Sequence, residues 1–159
     1  MFPNTEEEAL MALRGEDLTL AATAEAMLWR TWCRSGHPEA DRIFRSAVDA
    51  MQQRKLAEAE LLFSQVIGLT PDFAEAWNKR ATVRYLMQDY AASVDDCRET
   101  LARNPNHFGA LSGQGLCHLA LGQFAEAAGL FRRALAVHPH LSGARQNLQA
   151  AVSELVKWN

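Results

Sequence analysis

Residues 111–139 have the sequence LSGQGLCHLALGQFAEAAGLFRRALAVHP, in which two apolar segments flank a turn at Gly122. Apolar and small residues recur every three or four positions in each segment, as at Ala127 and Phe131, and this spacing is typical of an amphipathic helix. Pro139 ends the second segment, because proline lacks an amide hydrogen and its ring clashes with the preceding helical turn. The stretch therefore predicts a helical hairpin that ends at a proline.

The same hairpin pattern occurs three times along the chain. Pro71, Pro105 and Pro139 are 34 residues apart, and a fixed period of this length indicates stacked supersecondary units. Six further series share the spacing: Ile43, Trp77 and Leu111; Ala47, Ala81 and Gly115; Leu56, Tyr90 and Phe124; Ala59, Ser93 and Ala127; Phe63, Cys97 and Phe131; and Ile67, Leu101 and Leu135.

The period defines three complete units, 40–73, 74–107 and 108–141. A small residue such as Ala81 permits the two helices of a unit to approach closely, and a large residue such as Phe63 fills the adjoining space. We therefore expect an all-α protein in which three helix-turn-helix units are stacked.

The units share a large apolar fourth residue, a small eighth residue and a terminal proline. This combination resembles the tetratricopeptide repeat family over residues 40–141, and the resemblance implies a right-handed α-solenoid of three such repeats. Two positions, Arg54 and Gln88, depart from the family pattern where the third unit has the usual turn glycine, Gly122. Ser93 is a further departure, because it replaces a conventional alanine.

Two arginines in the second unit, Arg80 and Arg84, occupy first-helix positions where the family normally has apolar side chains. A buried guanidinium group needs a partner that offsets the loss of hydration. We expect structural ion pairs, with contact to a ligand as the alternative. The candidate partners on neighbouring helices are Glu60, Asp95, Asp96 and Glu99.

The flanks of the repeats are predicted to be helical. Residues 1–39 would form an N-terminal segment that packs on the first repeat, with a capping box at Thr5 and an unpaired second helix over 17–34 that caps the first unit. In that helix Glu25 places a charge where the repeat favours a small residue. Residues 142–159 have the amphipathic pattern of a C-terminal capping helix, which terminal repeats need in order to hide an apolar face.

The resemblance implies that the first helix of each unit lines a concave groove through its second, fifth, ninth and twelfth residues. These residues are Asp41, Phe44, Val48, Met51, Glu75, Asn78, Thr82, Tyr85, Gly109, Ser112, Leu116 and Leu119. All except the three at second positions form the candidate partner-binding groove. We expect Phe44, Tyr85 and Leu116 to anchor a peptide by apolar burial. Asn78 and Thr82 would hydrogen-bond it.

Some members of the family bind the acidic C-terminal tails of chaperones through a clamp of Lys, Asn and Arg. Here Phe44 and Val48 occupy the clamp positions of the first unit, and the third unit offers Gly109 and Gly113 in place of basic residues. The sequence therefore disfavours a chaperone-tail adaptor.

Three functional hypotheses remain. The first is a non-catalytic adaptor or scaffold that binds a segment of another protein in the groove. In the second, residues 1–38 fill the groove and the chain self-associates as a homo-oligomer through end helices that carry Trp29, Trp32 or Trp158. In the third, the module is an accessory subunit that holds a catalytic partner.

Composition and motifs argue against several other classes. Sixteen Lys and Arg against nineteen Asp and Glu leave a formal charge of −3, without the basic excess that favours nucleic acid. No apolar run approaches the ~18 residues of a membrane span, and three cysteines without CxxC spacing favour a reducing compartment such as the cytoplasm. Zinc-ligand spacing and the common catalytic motifs are missing, so we expect no metal, no cofactor and no catalysis.

Overall fold

The computed structural model describes residues 1–158, and this part of the chain forms nine α-helices and no β-strand. The helices are α1 (Glu6–Leu13), α2 (Leu18–Trp32), α3 (Pro38–Gln52), α4 (Leu56–Leu69), α5 (Ala74–Leu86), α6 (Tyr90–Arg103), α7 (Phe108–Ala120), α8 (Phe124–Val137) and α9 (Ser142–Lys157). The repeat units are the hairpins α3–α4, α5–α6 and α7–α8, and each hairpin packs on the next. The prediction of an all-α solenoid is confirmed.

The turns inside the three hairpins have the same backbone conformation. Arg54, Gln88 and Gly122 occupy equivalent places and have φ angles of 61°, 64° and 73°. In each turn the amide of the following residue donates a hydrogen bond of 2.8–2.9 Å to the carbonyl five residues before it, which is the Schellman arrangement of a helix end. The first two units therefore have a residue with a side chain in the left-handed region, whereas the third unit has glycine there.

The paired helices approach closely at their small residues. A methyl group at Gly115 of α7 would lie 2.7 Å from a ring carbon of Phe131 in α8, so only glycine fits without a shift. Ser93 of α6 occupies the usual alanine position, and its hydroxyl donates to the Ala81 carbonyl at 2.7 Å. The same hydroxyl accepts a hydrogen bond from the Cys117 thiol, so the polar atom is satisfied inside the core.

The two arginines of α5 form the structural ion pairs that the sequence predicts. Arg80 donates from Nε and Nη2 to the two carboxylate oxygens of Asp96, at 2.9 and 2.8 Å. Arg84 donates to Asp96 at 3.0 Å and to Glu60 of α4 at 2.9 Å. The other two candidate carboxylates pair within α6 itself. This network connects the last helix of the first unit to both helices of the second.

The N-terminal segment packs differently from expectation. Thr5 caps α1 with the predicted capping box. The predicted helix over 17–34 is present as α2, but it is paired, because it packs along α1. Its role as a cap of the first unit remains a prediction, and its middle reaches the far end of the stack. There Glu25 accepts a hydrogen bond of 3.0 Å from His138, which follows α8.

At the other end of the chain, α9 packs on α8. Its contact face includes Ala144 and Ala151, both fully buried, whereas Arg145 and Gln149 are exposed. This packing removes one face of the last hairpin from water. The boundaries of the three predicted segments remain a prediction.

Candidate protein-binding groove

The first helices of the units, α3, α5 and α7, lie side by side and form one face of the stack. Side chains from neighbouring helices line shared depressions on this face, as Val48 and Lys79 do between α3 and α5. Tyr85 and Leu116 line another between α5 and α7. The repeat therefore creates a continuous surface from residues that are distant in the sequence.

The N-terminal segment crosses this face near the loops that join the units. The Gly15 carbonyl accepts a hydrogen bond of 2.7 Å from His140, and Glu25 lies against the same loop between α8 and α9. Beyond the other end of α2, the Ser35 hydroxyl donates to Asp41 of α3 at 2.6 Å. The segment thus runs from the end of the third unit to the start of the first.

Two tryptophans fix α2 to the start of α7. The Trp29 ring lies edge-on to His107 and Phe108, with ring centroids 5.5 and 5.4 Å apart. The Trp32 ring stacks on His107 at 4.7 Å. Gly109 makes this approach feasible, because a methyl group there would be 2.9 Å from the Trp29 ring. The first turn of α7 is therefore covered by the N-terminal segment.

A buried polar pair lies beneath the tryptophans. The side chains of Glu75 and His107 have no exposed surface, and a hydrogen bond of 2.6 Å joins them. The Nδ1 atom of His107 accepts from the Ala110 amide and caps α7, so the proton is on Nε2 and is donated to Glu75. Asn78 donates to the second oxygen of Glu75 at 3.0 Å, and each polar atom of the pair has a partner.

The structure distributes the nine predicted groove residues unevenly. Phe44 is only 5% exposed and packs on Phe63 in the core of the first unit. Asn78 is also buried, through its bond to Glu75, whereas Thr82 is exposed. The other six are half-buried: Val48, Met51, Tyr85, Ser112, Leu116 and Leu119. The role of all nine in partner binding remains a prediction.

One part of the face is not covered by α2. We call it the open groove and define it by Asn78, Thr82, Tyr85 and Leu116, which surround a hollow of about 80 Å³. Three apolar side chains at the C-terminal ends of α5 and α7 are also exposed: Leu86, Met87 and Leu121. The open groove thus combines apolar area with the hydroxyl groups of a threonine and a tyrosine.

A second depression, of about 600 Å³, lies between the end of α2 and the first unit. We call it the basic cleft. Its cationic side chains are Arg30, Arg34, Arg45 and Lys79, its acidic ones are Asp41 and Asp49, and its remaining lining is Cys33, Phe44 and Val48. Sequence reasoning missed this cleft, although the spacing of Arg30 and Arg34 already placed two charges on one side of the second predicted helix.

One acidic residue of the basic cleft, Asp41, is stabilised by hydrogen bonds and a nearby positive charge. The Asp41 carboxylate accepts hydrogen bonds from the Ser35 amide and hydroxyl. Burial acts to raise the pKa of this carboxyl, but the bonds from Ser35 and the charge of Arg45 hold the pKa below its usual value. Asp41 is therefore ionised at neutral pH, and the cleft has two positive charges in excess.

Two cysteine thiols of the repeats are buried and unreactive. Burial, with the nearby Cys117 and Asp96, strongly raises the pKa of the Cys97 thiol, and burial also raises the pKa of Cys117. Such thiols remain protonated and are poor nucleophiles. Within residues 1–158, His, Cys, Asp and Glu do not converge in a group able to hold a metal ion. No described helix is both long and apolar enough to cross a membrane.

Comparison with known proteins identifies the family. The family profile described as tetratricopeptide repeat matches residues 44–106 and 79–142, which together exceed half of the chain. The chain belongs to the tetratricopeptide repeat family. A TPR repeat-containing protein of Rhizobium etli is 37% identical over 82 residues, which are 52% of this chain and 40% of that relative. The chain therefore spans less than half the length of a relative that it matches.

Solved structures of tetratricopeptide repeats have the same fold. The first TPR of Spaghetti (RPAP3), bound to the HSP90 peptide SRMEEVD, has a TM-score of 0.73 at 22% identity, covering 74% of this chain and 93% of that one. The Sgt2 TPR domain from Aspergillus fumigatus has a TM-score of 0.74 at 16% identity, covering 77% and 83%. At these identities the likeness concerns the fold alone.

Proposed function

We propose that this protein is a non-catalytic adaptor that binds a segment of another protein on the open groove. The observation that carries the proposal is the exposure of Thr82 next to Tyr85 and Leu116, on a face that α2 leaves uncovered. A peptide laid there would bury apolar surface, at about 25 cal/mol for each Å² removed from water, and would find hydroxyl partners for its backbone.

The family supports a peptide as the class of partner. In the solved structure of the first TPR of Spaghetti, a domain of this fold holds an HSP90 peptide. The identity of that peptide does not carry over, because Phe44 and Val48 replace the clamp residues here and Phe44 is largely buried in the core. The partner of this chain is therefore defined by its own groove chemistry.

In the alternative function, the chain self-associates and residues 1–38 fill its own groove. The position of the N-terminal segment argues against this alternative. Its tryptophans cover the start of α7, but the hollow beside Tyr85 has no occupant from residues 1–38 among its lining side chains. This division favours an adaptor whose own segment fills only one edge of the face. A strictly monomeric chain in sedimentation at several concentrations would agree with it.

A single substitution tests the adaptor. Thr82→Arg places a long charged side chain over the hollow, and we expect it to abolish capture of the partner from native lysate. Ala102→Arg is the matched control, because Ala102 is exposed on α6, the second helix of the same unit. Equal capture by both variants, with wild-type circular dichroism spectra, would overturn the proposal.

A further inference from the structure

The basic cleft has a charge excess that the rest of the molecule lacks. Four cationic and two acidic side chains line it, whereas the whole chain has a formal charge of −3. Concentration of one sign of charge in a concave site raises the local density of oppositely charged ligands. The excess therefore points to an anionic partner for this cleft.

Three of the four cations form no close ion pair with the described part of the chain. Within the described residues, Arg30, Arg34 and Arg45 have no carboxylate oxygen within 4.0 Å of a side-chain nitrogen, whereas Lys79 lies 3.6 Å from Glu75. A guanidinium group binds a carboxylate through two parallel hydrogen bonds. Three such groups around one depression are available to carboxylates that approach from solution.

The floor of the basic cleft is apolar. Its accessible part is Val48 of α3 and Cys33, which follows α2, beside the edge of the largely buried Phe44 ring. A purely ionic ligand would leave this surface in contact with water. An apolar side chain on the ligand would cover it and gain the corresponding hydrophobic free energy.

We propose that the basic cleft binds an acidic peptide segment that inserts one apolar side chain against Val48 and Cys33. This inference goes beyond the proposed adaptor function, because it assigns a ligand to a second site outside the open groove. The N-terminal segment is then a wall of the site, because Arg30 and Arg34 belong to it. The carboxylates of the peptide contact the three arginines, and its apolar side chain lies on the floor between them.

The same residues disfavour a polyphosphate ligand. Asp41 and Asp49 on the cleft wall repel a dense row of phosphates, and nucleic-acid affinity draws on many cationic contacts at once. A peptide can place its carboxylates beside the arginines and its neutral positions beside the acids. The proposal is therefore specific to a protein segment.

Fluorescence anisotropy with defined peptides tests the cleft. The probes are labelled hexapeptides in which one Leu or Phe is flanked by Asp and Glu, together with analogues that have Gln for Glu and Asn for Asp, or Ser for the apolar residue. We expect the acidic apolar peptides to bind with a dissociation constant below about 1 mM, and both analogues to bind about tenfold more weakly. Added salt should weaken binding, because it screens exposed charges.

Two double variants with the same change of net charge locate the binding. Arg30→Gln with Arg34→Gln removes the α2 wall, and Arg132→Gln with Arg133→Gln is the control, since those two arginines are exposed on α8 and form no ion pair within residues 1–158. We expect about tenfold weaker binding for the first pair and no change for the second. Circular dichroism verifies that both proteins are folded.

Several results would overturn the inference. They are the absence of binding by every acidic apolar peptide, equal weakening by both double variants, or tighter binding of an oligouridine probe or inorganic phosphate than of the peptides. The two proposals fail separately. If Thr82→Arg abolishes capture from lysate while no acidic peptide binds, the adaptor proposal is supported and the basic cleft is not. If acidic peptides bind and Thr82→Arg does not affect their binding, the basic cleft alone is supported.

Discussion

At the scale of single residues, the Asp96 carboxylate accepts three hydrogen bonds from two guanidinium groups and is almost fully buried. Asp96→Asn removes the charge that neutralises Arg80 and leaves Arg84 with Glu60 alone. Breaking a buried ion pair from one side is strongly destabilising, because a charge remains without its partner. We expect the free energy of unfolding, measured by urea denaturation, to fall by about 3–5 kcal/mol.

The adjacent residue provides the control for this prediction. The side chain of Asp95 is 75% exposed, and within residues 1–158 its one ion pair is with Arg98, at 3.5 Å. Asp95→Asn is the same chemical change one position earlier in α6, and we expect a change within about 0.5 kcal/mol. Similar losses in the two variants would show that the buried network is not what stabilises the second unit.

At the scale of the elements, the turns inside the hairpins differ in strain. Gln88 has a φ angle of 64°, a region that costs a residue with a side chain roughly 1–2 kcal/mol and costs glycine little. Gln88→Gly should raise the free energy of unfolding by about 0.5–1 kcal/mol, after the larger entropy of glycine in the unfolded chain is subtracted. The reverse change in the third unit, Gly122→Ala, should lower it by a similar amount.

Thermal unfolding followed by circular dichroism measures both turn variants. Gly129→Ala in α8 is a control for glycine content, because a methyl group there meets no atom within 4 Å and the backbone is helical. We expect this control to be stabilised by up to about 1 kcal/mol through helix propensity. A Gly122→Ala protein as stable as the wild type would contradict the strain assigned to these turns.

The repeat architecture could be predicted from the sequence because equivalent residues make the same contacts in each unit. The 34-residue period predicted the hairpins and the small residues between their helices, and the need of buried guanidinium groups for partners predicted the arginine network. All of these contacts join neighbouring helices. The path of the N-terminal segment could not be predicted, since the contact between Glu25 and His138 spans 113 residues and has no period. The charge of Glu25, out of place in a repeat helix, was the one signal of this contact.

The candidate site was predicted only in part for the same reason. The family pattern located the face, and Thr82, Tyr85 and Leu116 do line its open portion. Phe44 matched the pattern but fills the core, because Phe63 and Phe73 surround its ring. The basic cleft needs Arg30 and Arg34 from outside the repeats, and no repeat pattern positions them.

At the scale of the whole molecule, the N-terminal segment contacts both the first unit, at Asp41, and the loop after the third unit, at His138. Trp32 is 8% exposed, stacks on His107 and donates to Glu6 at 3.0 Å. Trp32→Ala should lower the free energy of unfolding by about 3–5 kcal/mol, as for other large core truncations. It should also speed amide hydrogen exchange in α7 as well as in α1 and α2.

Trp158→Ala is the matched substitution, because that side chain is 81% exposed. We expect it to change the free energy of unfolding by less than about 0.5 kcal/mol and to leave exchange in α7 as in the wild type. Faster exchange confined to α1 and α2 in the Trp32 variant would contradict a connection between the segment and the third unit.

The path of α2 has a mechanical consequence. A solenoid in which each unit contacts only its neighbours is flexible, because small rotations at successive interfaces add together. The N-terminal segment spans the arc, since Glu25 of α2 contacts His138 after the third unit and Ser35, beyond α2, contacts Asp41 of the first unit. Bending the arc would therefore stretch these two contacts. The curvature of the groove is thereby fixed in the unbound protein. Binding a partner then costs less conformational entropy than it would in a solenoid without this segment.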